Sequence, residues 1–264
     1  MGGPVTFTLD VEDYPDRDGT PRAPRLTRGI LAFLDRRRVR GTFFIVGELA
    51  AAQPDLVREI AGAGHEVALH AWRHTPLTEL DPPSFRDDTK RGKDILEDLA
   101  GRAVRGFRAP TFSLVASTVW ATDVLTELGF TYSSSVLPAR NPLYGWPGQP
   151  RVPHGWPSGL VELPCPVVRL GSERFTNAYL GGVYLRILPW PIVTYGLDHA
   201  APNEVLWLYA HPYDFDPDEP FRPRPDLSRA KSHVQWVNRK RMFARIERLL
   251  SRTGAGAPLQ ERVP

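Results

Sequence analysis

Short runs of apolar residues, each bounded by Gly, Pro or Asp, recur along the chain and predict buried β-strands. Between these runs, apolar residues return at helical spacing, as at Leu26, Ile30 and Leu34, which share one face of a helix. Strands that alternate with helices are typical of a mainly parallel sheet. The predicted strands span residues 5–11, 41–46, 65–70, 104–108, 130–134, 160–163 and 205–209.

Seven strand–helix units predict an α/β fold, a distorted (β/α)7-type barrel, built as a single domain over residues 1–252. Helices are expected over residues 84–100 and about 232–251, followed by a flexible C-terminal tail at 253–264. Segment 137–159 contains six prolines and interrupts the alternation. A loop of this length inside a folded domain predicts a lid or a binding loop.

The composition is that of an ordinary folded chain, with 42% hydrophobic and 24% charged residues among 264. The single cysteine, Cys165, cannot form an internal disulfide. The most apolar segment, 181–197, contains Arg186 and two prolines, so no membrane-spanning run is predicted. No basic-then-apolar export signal follows the first residue, and the expected location is therefore the cytoplasm.

Basic residues are concentrated near the C-terminus. Residues 221–264 contain eleven Lys or Arg and three Asp or Glu, whereas the rest of the chain contains 22 and 27. Either the last predicted helix has a solvated basic face, or that face contacts an anionic membrane or glycan. Nucleic-acid binding is not expected, because no recognition motif accompanies the basic stretch. The sequence does not indicate an oligomeric state.

Carboxylates and histidines follow two of the predicted strands. Asp10, Glu12 and Asp13 close the first strand, where they form either an acidic surface turn or a site for a cation. In a parallel barrel, the carboxyl ends of the strands form the active site. His70 and His74 follow the third strand at the same edge, and they would bind one metal ion if a helix begins there.

Two further residues lie at strand ends on the same edge. Arg108 closes the fourth strand and is either a solvated arginine or the partner of a buried carboxylate. His211 closes the seventh strand and is either structural or a proton donor near neutral pH. His65, at the opposite end of the third strand, is expected to be structural. Together the strand ends supply metal ligands, a base, its arginine and an acid, which is typical of a hydrolase.

In these motifs the chain resembles the polysaccharide deacetylases of carbohydrate esterase family 4, whose domain has the NodB homology fold. The similarity extends from Thr6 to about Leu250 and is greatest to the branch that opens with Asp-Val-Glu-Asp-Tyr, found beside exopolysaccharide loci. The motifs that carry the resemblance are residues 9–14, 64–74, 107–112 and 211–217.

The resemblance implies a role for each catalytic position. Asp10 corresponds to the general base, Arg108 to the arginine that orients it, and His211 to the catalytic acid. The tetrahedral oxyanion would be stabilised by the metal ion and by the backbone N–H of Thr111. Trp146 and Trp156 are expected either to stack on a sugar or to pack against the barrel. The expected substrate-binding residues are Thr111, Phe112, Tyr144, Trp146 and Trp156.

The resemblance also implies a divalent metal ion. His70 and His74 match its two histidine ligands, and either Glu12 or Asp13 would supply the carboxylate. Zn²⁺ is the expected metal, with Co²⁺, Ni²⁺ and Mn²⁺ as alternatives.

The implied activity is metal-dependent hydrolysis of the acetamide of an N-acetylated amino sugar, in a glycan, a lipid-linked sugar or a small glycoside. Alternatives are a deformylase or other amide hydrolase on the same scaffold, and an inactive carbohydrate-binding protein. The branch often has Tyr-Asp-Ser-Ser where residues 132–135 are Tyr-Ser-Ser-Ser. This departure leaves open an acceptor other than a simple polymer.

Overall fold

The computed structural model describes residues 3–13, 19–171, 176–223 and 228–264, so Tyr14 of the acidic opening motif lies outside the described residues. Its main feature is an eight-stranded sheet in the order β10-β1-β2-β3-β4-β5-β7-β6, in which only β6 is antiparallel to its neighbour. A separate hairpin pairs β8 with β9. The strands are β1 (Thr6–Val11), β2 (Gly41–Ile45), β3 (Glu66–Leu69), β4 (Gly106–Phe107), β5 (Tyr132–Ser133), β6 (His154–Gly155), β7 (Val161–Glu162), β8 (Val167–Arg169), β9 (Thr176–Ala178) and β10 (Trp207–Ala210).

Helices cover the outer face of the sheet. In the described part of the chain, none of them is long and apolar enough to cross a membrane. They are α1 (Ala23–Asp35), α2 (Gly47–Ala52), α3 (Pro54–Gly62), α4 (Pro82–Ala100), α5 (Ala121–Glu127), α6 (Gly182–Ile187), α7 (Trp190–Asp198), α8 (Arg229–Trp236) and α9 (Met242–Thr253).

Alternation along the strands divides the buried side chains into two layers. Phe7 and Leu9 of β1 join the large outer core between the sheet and the helices. Thr8 and Asp10 of the same strand point into the curl of the sheet, where both accept hydrogen bonds from Arg108. The inner side of the sheet therefore holds polar groups as well as a second apolar cluster.

All seven predicted strands are present and run parallel, which confirms the α/β class. In the described residues the sheet has two edges, β10 and β6, that do not pair with each other, so the barrel is a curled half-barrel. Strand β6, which lies in the proline-rich segment, and the β8–β9 hairpin were not predicted.

The C-terminal helix predicted over about 232–251 is wrong as one continuous element. Helix α8 ends because Val237 is extended (ψ 156°) and Asn238 is left-handed (φ 60°). Helix α9 then begins at Met242 and buries Ile246, Leu249 and Leu250. The apolar spacing predicted the helical turns but not the break between them.

The expectation of a flexible tail at 253–264 is also contradicted. Ala255 forms a parallel bridge with Val5, and the backbone N–H of Leu259 donates to Thr42 Oγ1 at 2.8 Å. The Leu259 side chain is fully buried in the inner apolar cluster. Because this segment contains two glycines and two prolines and shows no helical or strand periodicity, its sequence did not indicate that Leu259 would be buried.

We expect Leu259→Ala to lower the free energy of unfolding by about 2–5 kcal/mol, since it leaves a cavity in a closed apolar cluster. The measurement is urea unfolding. Gln260→Ala is the matched control, because its backbone N–H donates to Glu66 and is kept in the variant. A Leu259→Ala protein as stable as the control would show that the segment does not contribute to the core.

Candidate active site

The predicted site residues meet at one edge of the sheet. Asp10 lies near the end of β1, and Glu12 directly follows that strand. His70 follows β3, Arg108 follows β4 and His211 follows β10. Because the strands are parallel, all of these positions reach the same carboxyl edge of the sheet.

Arg108 crosses the inner side of the half-barrel to reach Asp10. Its Nη1 lies 2.6 Å from Asp10 Oδ1, and both side chains are at most 5% exposed. The same nitrogen donates to Thr8 Oγ1 at 2.8 Å. The pairing fixes one oxygen of the Asp10 carboxylate and leaves the other, Oδ2, at 4.0 Å from His211 Nε2.

The guanidinium of Arg108 is itself held on several sides. Its Nε donates to the carbonyl of Ser134 at 3.2 Å, and its Nη2 donates to the hydroxyl of Ser134 at 2.8 Å. The rings of Phe44 and Trp207 lie 3.9 Å and 4.3 Å from its central carbon. A charged group in these surroundings has little freedom to move, so it acts as a fixed reference for Asp10.

Glu12, His70 and His74 form a cluster with the composition of a metal site. One ligand atom from each lies within 4.8 Å of the others. His70 Nδ1 lies 2.9 Å from the carbonyl oxygen of Arg108, which only accepts hydrogen bonds. The ring proton is therefore on Nδ1, and Nε2 presents its lone pair to the cluster, as in many metal-binding histidines.

The two histidines come together without the helix that the sequence analysis required. Residues 71–74 form a bend in which Ala71 (φ 58°) and His74 (φ 55°) are both left-handed. The ring centroids of His70 and His74 lie 5.0 Å apart. The prediction that a helix would bring the two histidines together was wrong. They meet through left-handed conformations at Ala71 and His74, which are uncommon for residues other than glycine and were not predicted.

The structure distinguishes the two candidate carboxylates. Glu12 Oε2 lies 2.6 Å from His74 Nε2. Asp13 instead accepts from the backbone N–H groups of Arg22 and Ala23, at 3.1 Å and 2.9 Å, where α1 begins. Asp13 therefore caps a helix start and is not among the grouped ligands.

Electrostatics favour an ionised Glu12 and a neutral His70. Burial raises the pKa of Glu12, but the hydrogen bond to His74 and the nearby imidazoles outweigh it and lower the pKa to about 2. Burial lowers the pKa of His70 to about 4. One buried carboxylate with two imidazoles is a donor set that Zn²⁺ and similar divalent ions accept, so the residues fit a metal ion.

His211 is oriented by a buried ion pair that the sequence analysis missed. Its Nδ1 lies 3.0 Å from Asp214 Oδ2, and Asp214 Oδ1 accepts from Arg186 Nη2 at 2.7 Å. Burial lowers the pKa of His211, but the hydrogen bond to Asp214 and three nearby carboxylates outweigh it and raise the pKa to about 9. His211 is therefore favoured in its protonated form near neutral pH.

Two sequence signals could have indicated this ion pair. Arg186 is the only charged residue in the apolar segment 181–197. An isolated charge in such a segment suggests that it has a buried partner of opposite charge. Gly182 leaves room for the carboxylate, since a Cβ at that position would lie 2.0 Å from Asp214 Oδ2.

Thr111 and Phe112 follow Arg108 in a tight turn in which both are left-handed. Among the described residues, the backbone N–H of Thr111 has no hydrogen-bond acceptor, whereas that of Phe112 donates to Ala109. The Phe112 ring is only 9% exposed and packs edge-on against Tyr209 at 5.1 Å. Phe112 therefore lies in the inner apolar cluster, and its role in substrate binding stays a prediction.

The aromatic residues of segment 137–159 make contacts within the protein. Tyr144 exchanges a 2.8 Å hydrogen bond with Thr78, which ties the segment to the turn after His74. Trp146 and Trp156 stack on each other with centroids 5.9 Å apart and pack against the outer core. Both tryptophans are only partly buried, so their stacking on a sugar stays a prediction.

Comparison with protein families matches the chain in two consecutive parts. Residues 4–133 match the family "Polysaccharide deacetylase", and residues 134–255 match a "Domain of unknown function". The boundary falls at the end of β5, inside the main sheet, and β10 of the second part pairs with β1 of the first.

Curated relatives are similar over less than half of this chain. A peptidoglycan-N-acetylglucosamine deacetylase of Bacillus cereus is 32% identical over 120 residues, which are 45% of this chain and 40% of that protein. A chitooligosaccharide deacetylase of Bradyrhizobium is 33% identical over 124 residues, which are 47% of this chain and 52% of that protein. The chain thus spans about half the length, or less, of these relatives.

Solved structures share the fold over nearly the whole chain. A peptidoglycan deacetylase of Bacillus subtilis superposes with a TM-score of 0.52 at 14% identity, covering 99% of this chain and 90% of that one. A carbohydrate esterase family 4 pseudoenzyme of Bacillus anthracis gives 0.55 at 12% identity, covering 99% and 66%. These similarities establish the fold, and the pseudoenzyme shows that the fold alone does not guarantee activity.

We expect Glu12→Ala to weaken Zn²⁺ binding by more than the roughly 10–100-fold loss caused by removing a supporting group. Asp13→Ala should bind Zn²⁺ as the unchanged protein does, while losing about 1 kcal/mol of stability at the start of α1. Competition with a fluorescent zinc chelator and thermal unfolding give the two readouts. Equal affinity in the two variants would contradict the assignment of Glu12.

We expect Asp214→Asn to lower the pKa of His211, because the substitution removes an adjacent negative charge. If His211 must be protonated to act, activity is lost as pH rises through its pKa. The alkaline limb of the pH–rate profile should therefore move to lower pH by about one unit or more. Asp216→Asn is the control, since that buried carboxylate pairs with Arg22 and not with His211. An equal shift of the alkaline limb in Asp216→Asn would contradict the claim that Asp214 sets the pKa of His211.

Proposed function

Because the chain belongs to the polysaccharide deacetylase family, we propose that it is a metal-dependent N-deacetylase that hydrolyses the acetamide of an N-acetylated amino sugar to an amine and acetate. The observation that carries this proposal is the meeting of three metal-ligand side chains with an oriented carboxylate and a histidine favoured in its protonated form. These groups match the requirements of amide hydrolysis, which needs a nucleophile, a base and an acid.

Glu12, His70 and His74 would hold the metal ion, for which Zn²⁺ is the first choice and Co²⁺, Ni²⁺ or Mn²⁺ are alternatives. When bound there, such an ion polarises a carbonyl group and makes a water molecule more acidic. The protein supports the ligand set through the hydrogen bond between His70 Nδ1 and the carbonyl of Arg108.

Asp10 and His211 divide the proton transfers between them. Arg108 holds Asp10 Oδ1, so Oδ2 is the oxygen that takes a proton from the attacking water. His211 Nε2 is 3.7 Å from Glu12 and 4.0 Å from Asp10, and its other ring nitrogen is held by Asp214. His211 can therefore donate a proton from Nε2 to the departing nitrogen, which is a poor leaving group until it is protonated.

The backbone N–H of Thr111 is the proposed donor to the oxyanion that forms during attack. It lies on the turn directly after Arg108 and has no acceptor among the described residues. An N–H fixed in this way costs no reorganisation when negative charge develops near it.

We expect Asp10→Asn to reduce turnover by about 10²–10⁴-fold, the usual contribution of a general base, while metal content stays unchanged. The assay is acetate release, with and without a chelator, from N-acetylated sugars offered as polymer, oligomer, lipid-linked sugar and small glycoside. Asp13→Ala is the control, because it removes a carboxylate from the same motif that does not face the histidines.

Three results would contradict the proposal in different ways. Full activity in Asp10→Asn would show that Asp10 is not the general base. Release of formate but not acetate from matched sugars would indicate a deformylase on the same site. Tight binding of acetylated sugars without turnover, in protein shown to contain its metal, would indicate a carbohydrate-binding protein.

A further inference from the structure

Helices α6, α7 and α9 form a surface that takes no part in the proposed deacetylase site. This surface combines a row of arginines with exposed apolar and aromatic side chains, and we call it the α7–α9 face. Its members are Ile187, Trp190, Pro191, Tyr195, Arg241, Arg245 and Arg248.

Contacts between the helices show that these residues form one continuous surface. The guanidinium carbon of Arg248 lies 4.3 Å from the ring centroid of Trp190 at the start of α7. Arg252 pairs with Asp198 at 2.9 Å at the end of α7, so α7 and α9 run side by side. Arg245 Nε donates to the carbonyl of Leu185 at 2.6 Å, which brings the end of α6, with Ile187, to the same place.

Three arginines of this face follow one another closely along the chain. Arg241 directly precedes α9, and Arg245 and Arg248 lie four and seven residues later within that helix. None of the three has a carboxylate partner within the described part of the chain. Burial and the neighbouring charges of Arg248 and Arg241 lower the pKa of Arg245.

The apolar members of the face are unusually exposed. Ile187 and Tyr195 are each 39% exposed, and they are two of only six large hydrophobic side chains in the described chain with such exposure. Pro191 and Tyr195 lie four residues apart on α7 and so share its outward side. Trp190 is partly buried between these residues and the arginines.

We propose that the α7–α9 face docks the protein on the surface of an anionic lipid bilayer. Arginines attract anionic headgroups, and Trp and Tyr favour the boundary between headgroups and acyl chains. The exposed isoleucine and tyrosine would enter that boundary, which is the pattern of a peripheral membrane surface. A soluble polyanion would need the arginines but would gain nothing from Ile187 and Tyr195.

The test is co-sedimentation of the full chain with vesicles. We expect binding to vesicles of phosphatidylcholine with 30% phosphatidylglycerol, compared with little binding to pure phosphatidylcholine. Binding should be lost in 0.5 M NaCl, since salt screens exposed charges. The double variant R241E/R248E should bind at least tenfold more weakly, because each arginine near an anionic surface contributes about fivefold.

Matched variants separate a specific face from general positive charge. Arg105→Glu removes an exposed arginine elsewhere on the molecule and should keep wild-type binding. Ile187→Ser with Tyr195→Ser should weaken binding to vesicles but leave binding to soluble polyphosphate unchanged. No binding to anionic vesicles at low salt, an equal loss in Arg105→Glu, or no effect of the serine variants would overturn the proposal. Acetate release by R241E/R248E from a small soluble substrate should be unaffected.

Discussion

A buried guanidinium sets the geometry of this site. Arg108 is 1% exposed, and a cation in such a position is costly unless it is paired and hydrogen-bonded. Asp10, Thr8 and Ser134 accept hydrogen bonds from it, and the rings of Phe44 and Trp207 lie against the guanidinium. The carbonyl oxygen of Arg108 also accepts the hydrogen bond from His70 Nδ1, so one residue positions both Asp10, the proposed base, and the candidate metal-ligand cluster.

The support for Arg108 reaches the far edge of the sheet. Glu162 on β7 is fully buried, and its Oε1 accepts from the backbone N–H groups of Ser135 and Val136 at 2.7 Å and 2.9 Å. These bonds fix the backbone next to Ser134. The carbonyl and hydroxyl oxygens of Ser134 both accept hydrogen bonds from Arg108. Burial raises the pKa of Glu162, which is consistent with a carboxyl group that no described cation contacts.

Sequence reasoning succeeded where local pattern and general fold rules agree. The strand runs predicted a parallel sheet, and the polar residues at the ends of those runs were expected at one edge of it. The resemblance to the deacetylase family then implied that Arg108 would pair with Asp10. Sequence reasoning failed where distant parts of the chain decide the conformation. The Asp214–Arg186 pair and the buried Leu259 depend on partners remote in sequence, for which the chain offers at most indirect signals. The left-handed conformation of Ala71, which brings His70 to His74, does not follow from its residue type.

The two parts matched by different families both contribute residues to the candidate active site. The grouped metal ligands and Asp10 all lie before residue 134, whereas His211, Asp214 and Arg186 lie after it. Strand β10 pairs with β1 in register, from Thr6 with Trp207 to Leu9 with Ala210, and this pairing brings His211 to the carboxylates. The first part alone would therefore lack the proposed acid, His211, and would also lack β10, the strand that pairs with β1 on the side opposite β2. The part that matches a domain of unknown function is, in this chain, the half that contains His211, the proposed proton donor, and its supporting ion pair.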